Sequence, residues 1–480
     1  MSVFILHHSS LRGSHFIHYK ESGMVKCFYL GELRLRTSKL SADSSFMREL
    51  KRLLQALTSV SASDSLVSLL SDTHRFLRFA NNTPDSNAVT TKPDLMPQLW
   101  FLAEKILRLT EGNNPADSLI RSARVLGSLQ LTSPESPRRW RELQFGYKLL
   151  YRAALSLRLL DHAIQHKLLT DPELYQHEAV RRYADDNCPY RLNVQMPLVV
   201  AVMLLDSGQL DADAIALLTG NAGEQDASRS MQPNERQQYL SLSGAAMHQL
   251  VNGALQLIPY RGNSREEKQQ HQLQQQNKIN LIKQLLKAKK TGDITLSPLL
   301  GLPQVYSSMV LPGRQRYQYE ALPKASLLLR DSVNRGQFPA IWVKHFLTIT
   351  GIFPQGFGIT FIPMQHDNAF AGKYELAIVN QLYPPTPAQP LCRIVSRNLQ
   401  YRRGGNNCHV SIEHNLYFKP ARVRLSVIPE QRLQAILAQL SADWEPGQVR
   451  RFIPRCWQPQ QFFSQSEHQN LWNNALNQTY

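Results

Sequence analysis

The chain has 480 residues, with 54 lysines and arginines against 37 aspartates and glutamates and a net charge of +17. It is longer than the roughly 250 to 300 residues at which a single core stops growing, so about two to four domains are expected, and its charge favours acidic partners such as nucleic acid, nucleotides or anionic lipid. Apolar runs such as "PLVVAVMLL" at Pro197–Leu205 fall short of the roughly 20 residues of a membrane helix, and "MSVFILHHSSLRGSHF" lacks the basic start and apolar core of a secretory signal, so neither a span nor a leader is expected.

In chain order, "HFIHYK" and "MVKCFYLGELRLR" flank "ESG" and read as a β-hairpin, because alternating residues surround a Gly-containing turn. The period then changes. In "SSFMRELKRLLQAL" the apolar Phe46, Leu50, Leu53, Leu54 and Leu57 recur at helical spacing, with Ser44 or Ser45 as cap. Helices are expected again in "SDSLVSLLSDTHRFLRFA", in "PQLWFLAEKILRL" and in the long "RRWRELQFGYKLLYRAALSLRLLDHAIQHKLL". Polar, turn-rich composition makes "NNTPDSNAVTTKPD" and "GNAGEQDASRSMQPNE" loops, and the Gln-rich tract 264–278 reads as either a solvated helix or a disordered insert. "FGITFIP", "YELAIVNQLY", "PLCRIVS" and "CHVSIEH" are short β-rich runs separated by Pro, Gly and Asn.

These readings give a mainly α fold. A hairpin plus helices occupies residues 1–135, a helical bundle 143–351, a small β-rich appendage 352–425, and a helix and tail 426–480. The boundary "ITGIFPQGFGITFIP" marks the change from helix to sheet. Gly351 is expected as the left-handed residue that closes helix "PAIWVKHFLTIT", Pro354 prevents its resumption, and Gly356 and Gly358 permit close backbone approach where the appendage docks.

The succession Arg316-Tyr317, "ALPKASLLL", "GQFPAIWVKHFL", "GIFPQGFGITF" and "YELAIVNQLYPPTPAQPLCRIV" resembles the C-terminal end of the HD-GYP family, bacterial metal phosphohydrolases that act on cyclic di-GMP. The resemblance spans about 175–395 and implies an HD-type helical domain. Phosphodiester cleavage by such enzymes needs metal ions held by converging imidazoles and carboxylates. "HEAVRRYA" resembles the family's opening helix and retains His177, and "VMLLDSGQL" resembles "AALLHDIGKL", which places Leu205 at a metal histidine and retains Asp206. Leu240 falls near a further metal histidine and Gln304 at the metal aspartate of "ADxYDAL", and neither the family's "HHE" nor its "DGSGYP" occurs between Gly244 and Gly292. Leucine cannot bind a metal, and a Gln amide is a poor substitute for a bridging carboxylate. The resemblance therefore implies a degenerate scaffold with remnant positions His177 and Asp206, no catalytic residues and no expected cofactor. Iron or manganese would enter only if metal-dependent phosphohydrolase activity persisted.

A retained fold without its reaction points to binding. The first expectation is a cytoplasmic signalling or regulatory protein that meets a partner protein or a cyclic dinucleotide. Arg314, Arg316, Tyr317, Arg402 and Arg403 are the candidates for phosphate or nucleotide contact, since guanidinium groups and aromatic rings suit phosphate and base. The alternative is nucleic-acid binding through "SPRRWRELQFGYKLLYR", whose basic residues alternate with Trp140, Phe145 and Tyr147, although Trp140, Leu143, Tyr147 and Leu150 also recur at the spacing of a buried helix face. Scattered Cys27, Cys188, Cys392, Cys408 and Cys456 form no CxxC pair, which argues against a disulfide framework or structural zinc. His7, His8, His15 and His18 bunch near the N-terminus with no accompanying carboxylate.

Overall fold

Met47, Leu50, Leu53, Leu54 and Leu57 lie buried along one face of helix Ser45–Thr58, and the Ser44 hydroxyl caps it by accepting the Met47 N–H at 3.3 Å. The computed structural model describes residues 43–82, 93–136, 139–313, 317–364, 373–425, 431, 454–473 and 477–479. The hairpin expected before residue 43 lies outside the described residues, as do Arg314 and Arg316.

The described chain is mainly helical and carries a small sheet toward its C-terminus. Helices Leu66–Asn82 and Leu95–Thr110 follow the periodicity. Pro115–Thr132 adds a further helix, started by Asn114 as side-chain cap and Pro115 in the first turn. Residues Trp140–Glu142 and a π-helical turn, Leu143–Tyr147, lead into Lys148–Gln165, which is buried along nearly its whole length. Helix Met196–Leu204 is buried on every side, which accounts for its uniformly apolar sequence. Among the described residues no helix is long and apolar enough to cross a membrane.

The Gln-rich tract is helical. It belongs to Arg265–Thr291, whose Gln275, Ile279, Ile282, Leu285 and Leu286 form the buried stripe that holds it on the bundle. Lys148–Gln165 packs against Pro115–Thr132, Met196–Leu204 and Ser297–Val310. A buried ion-pair network fixes the connection after it. Arg181 reaches Asp161 at 2.7 Å and Glu111 at 3.1 Å, Arg158 pairs with both acids, and the Tyr190 hydroxyl donates to Asp161 at 3.1 Å.

The sheet begins at β1 (Gly358–Phe361), β2 (Glu375–Val379) and β3 (Leu391–Ile394). After a two-residue hairpin, β4 (Ser396–Arg397) with β5 (Gln400–Tyr401), come β6 (Asn407–His409), β7 (Cys456–Trp457) and β8 (Asn477–Thr479). The strand order is β7-β1-β2-β3-β6-β8, antiparallel throughout except for the β6–β8 pair. The two edge strands come from residues beyond 425, where the sequence predicts helix and tail; strands of two and three residues carry no readable alternation.

Along β2, Leu376 and Ile378 join the core shared with the helices, while Ala377 and Val379 enter a second cluster with Phe353, Phe357, Ile359 and Phe361. Alternate side chains of a strand point to opposite faces, so this sheet is buried on both. The helical part and the sheet share one apolar core that runs from Met47 to Trp472.

The junction explains that sharing. Gly351 ends helix Ala340–Thr350 with φ 64° and ψ −167°, an extended positive-φ conformation in place of the left-handed helical one expected from sequence. The Phe357 N–H donates to the Pro354 carbonyl at 3.0 Å and closes the turn. At φ +83°, Gly356 sits so close to Pro115–Thr132 that an added Cβ would lie 2.8 Å from the Gly127 carbonyl oxygen. The Gly358 N–H meets the Tyr319 hydroxyl at 2.8 Å.

Candidate functional site

Asp206 stands just after helix Met196–Leu204 and before the 3-10 turn Ser207–Leu210, where the bundle places it inside. Its side chain is 10% exposed and forms a close ion pair with Arg152, which is 3% exposed. The same oxygen, Oδ2, accepts the Gln144 amide at 2.7 Å, and Oδ1 accepts the amides of Gln209 at 3.1 Å and Gln304 at 3.0 Å. Arg152 is itself held from behind, its Nε donating to the Ser307 hydroxyl at 2.9 Å. A carboxylate offers about four acceptor positions, and these four donors take them all.

Thus Asp206 and Gln304, two positions that the family resemblance places at the metal centre, do meet, but around a guanidinium. The other three lie differently. Leu205 is buried, whereas Leu240 is 57% exposed on helix Pro233–Ala254. Its neighbour Tyr239 faces inward; burial and the Asp206 charge raise its hydroxyl pKa. His177 occupies the last turn of the short helix Pro172–Ala179 and is not among the partners of Asp206.

A cleft of about 130 Å³ opens over this polar group, lined by Trp140, Gln144, Lys148, Gln209, Tyr239 and neighbouring residues. Arg139 is tied to Glu142 by two hydrogen bonds of 2.7 and 2.6 Å. Phe145, Tyr147, Lys148 and Arg152 are buried, so the later half of the basic-aromatic segment expected to meet nucleic acid turns inward, while Arg139 is exposed.

Of the candidate phosphate contacts, Tyr317, Arg402 and Arg403 fall among the described residues. The Tyr317 hydroxyl accepts from Gln130 at 3.2 Å and donates to the Val310 carbonyl at 3.4 Å, which gives it a structural role. Arg402 and Arg403 are exposed in the turn between β5 and β6, and Arg403 pairs closely with Glu467. Cys188, Cys392, Cys408 and Cys456 are buried free thiols, and Cys392 lies opposite Cys408 in the β3–β6 register.

A second polar cluster was not expected from sequence. His162 and His166, at the C-terminal end of Lys148–Gln165, meet His345 from helix Ala340–Thr350. His162 Nε2 lies 2.7 Å from His345 Nδ1, and His162 Nδ1 lies 3.0 Å from the Tyr383 hydroxyl. Burial, together with the neighbouring His166 and His345, pushes the His162 pKa down to about 4. The His-x-x-x-His spacing was the readable sign; the third histidine comes from a distant helix.

No family model, curated protein or solved structure matches the chain.

Proposed function

We propose that the chain is a non-catalytic regulatory protein of the cytoplasm, built on a degenerate HD-GYP-like helical scaffold and acting by binding a partner protein. The observation that carries this reading is the saturation of Asp206. Arg152 brings its positive charge to the carboxylate and three glutamine amides take the remaining acceptor positions, so a metal ion would have to displace protein donors to coordinate there. An arginine remains protonated at all ordinary pH values, so this substitution for a cation is permanent.

The size of the cleft beside Asp206 supports a partner protein over a nucleotide as its occupant. About 130 Å³ is well below the roughly 300 Å³ at which pockets for drug-sized ligands begin, and a cyclic dinucleotide would be left largely uncovered. That favours a macromolecular partner over a nucleotide.

The test is affinity capture from the native extract with the full chain, followed by rebinding of purified candidates and a cyclic di-GMP hydrolysis assay with manganese and iron. A signalling or motility protein that rebinds in purified form supports the reading. Recovery of RNA or DNA would transfer it to nucleic-acid binding, and hydrolysis abolished by a chelator would overturn it.

A further inference from the structure

We propose that His162, His166 and His345 form a binding site for one divalent transition-metal ion of the zinc class, separate from the Asp206 position. His162 and His166 are four residues apart, so they share one face of helix Lys148–Gln165 at its last turn, and His345 projects from Ala340–Thr350 against them. The three rings lie with centroids 4.2, 4.9 and 4.8 Å apart, and one nitrogen from each lies within 4.8 Å of the other two. Tetrahedral coordination with metal–nitrogen bonds of about 2.0 to 2.1 Å needs nitrogens roughly 3.4 Å apart, and His166, exposed at the surface, has room to turn inward.

The chemistry of the donors selects the ion. Three imidazoles, with no thiolate and no carboxylate in the group, suit zinc, copper, nickel or cobalt and are poor ligands for calcium or magnesium. Protonation would compete with a metal, and burial and mutual repulsion lower the proton affinity of His162 and His345. The negative end of the helix dipole, at the terminus that carries His162 and His166, adds attraction for a cation. Exposed Lys344 beside His345 opposes it, but as a solvated charge it is screened. Three protein ligands with one at the surface leave the fourth position open to water.

Tyr383 supplies the outer support that such ligands ordinarily have. Its hydroxyl holds His162 Nδ1 at 3.0 Å, and its own N–H donates to the Ile349 carbonyl at 2.9 Å, tying it to the helix that carries His345. When a metal takes Nε2 of His162, the ring carries its proton on Nδ1 and donates it to the tyrosine oxygen.

The site goes beyond the regulatory reading and does not depend on it. The test uses the full chain stripped with a chelator, then titrated with zinc by calorimetry and with cobalt by visible absorption. One equivalent should bind, and cobalt should show the intense bands of a low-coordinate site. His166→Ala and His345→Ala should each weaken zinc binding by at least about tenfold, and Tyr383→Phe by about tenfold, the loss that follows removal of a ligand's hydrogen-bond partner. Zinc-free His166→Ala should melt where the zinc-free wild type does, since this side chain is exposed; if His345→Ala or Tyr383→Phe fails to fold, His166→Ala decides. Absence of saturable binding would overturn the proposal. So would binding unchanged in the variants, since the ion would then belong to other histidines such as His7, His8, His15 and His18.

Discussion

The side-chain amide of Gln304 donates to the Asp206 carboxylate at 3.0 Å across 98 residues of sequence. A carboxylate at 304 would set two like charges against each other and remove a donor. Gln304→Asp alone should therefore destabilise the chain by about 1 to 3 kcal/mol in urea unfolding. The triple variant Leu205→His, Leu240→His, Gln304→Asp should still hydrolyse no cyclic di-GMP, because position 240 is 57% exposed and the "HHE" segment of the family is absent as well. Turnover by that variant in the presence of manganese would contradict the placement.

Removing Asp206 leaves Arg152 buried without its counter-charge. Loss of one partner of a buried pair typically costs about 3 to 5 kcal/mol, and Asp206→Ala should fall in that range. Asp206→Ala combined with Arg152→Met should recover part of the loss, because the uncompensated charge goes too. Urea midpoints of the two single variants and the double variant measure this coupling; simple additivity would mean that the pair contributes nothing.

What the sequence made legible was local. Leu50, Leu53, Leu54 and Leu57 repeat at helical spacing, Ser44 can cap, and the runs around Ile359, Ile378 and Cys392 are short, β-rich and bounded by turns; each of these signals lies within a few residues of its effect. The polar group at Asp206 was not legible, because its partners Gln144, Arg152 and Gln304 converge only when separate helices pack. Burial of Arg152 could not be read from a segment whose other cations suggested a solvated surface. The same limit hid His345 from His162, and it hid the edge strands Cys456–Trp457 and Asn477–Thr479, which are too short to show a period.

Three glycines of different environment separate conformation from space. Gly356→Ala should be the most damaging, by about 2 to 4 kcal/mol, since φ is +83° and the new Cβ would press on the Gly127 carbonyl oxygen at 2.8 Å. Gly404→Ala has φ +63° but open space, so the positive φ alone should cost about 1 to 2 kcal/mol. Gly244→Ala lies inside helix Pro233–Ala254 with nothing near its Cβ and should stabilise by about 0.5 to 1 kcal/mol. Thermal melts of the three variants give the order; Gly356→Ala melting no lower than Gly404→Ala would remove the close approach as an explanation.

His74 should make stability fall on mild acidification. Its Nε2 lies 3.0 Å from the Ser207 carbonyl, inside the bundle, and burial lowers its pKa below the ordinary 6.5. The Ser207 carbonyl and Asp211 pull it back upward, while Arg78 adds to the lowering; burial prevails. As pH falls through about 6.5 the unfolded chain takes up a proton that the folded chain still refuses, so the unfolded state binds more protons and the free energy of unfolding drops. The contribution is fully present above about pH 6.5 and is lost progressively as pH falls toward the lower folded value. His74→Gln keeps a side-chain N–H donor for the Ser207 carbonyl and cannot titrate. Urea unfolding of both proteins between pH 7.5 and about 5 should show the wild type losing stability faster than the variant; parallel curves would mean that His74 is not the buried neutral group inferred from its setting.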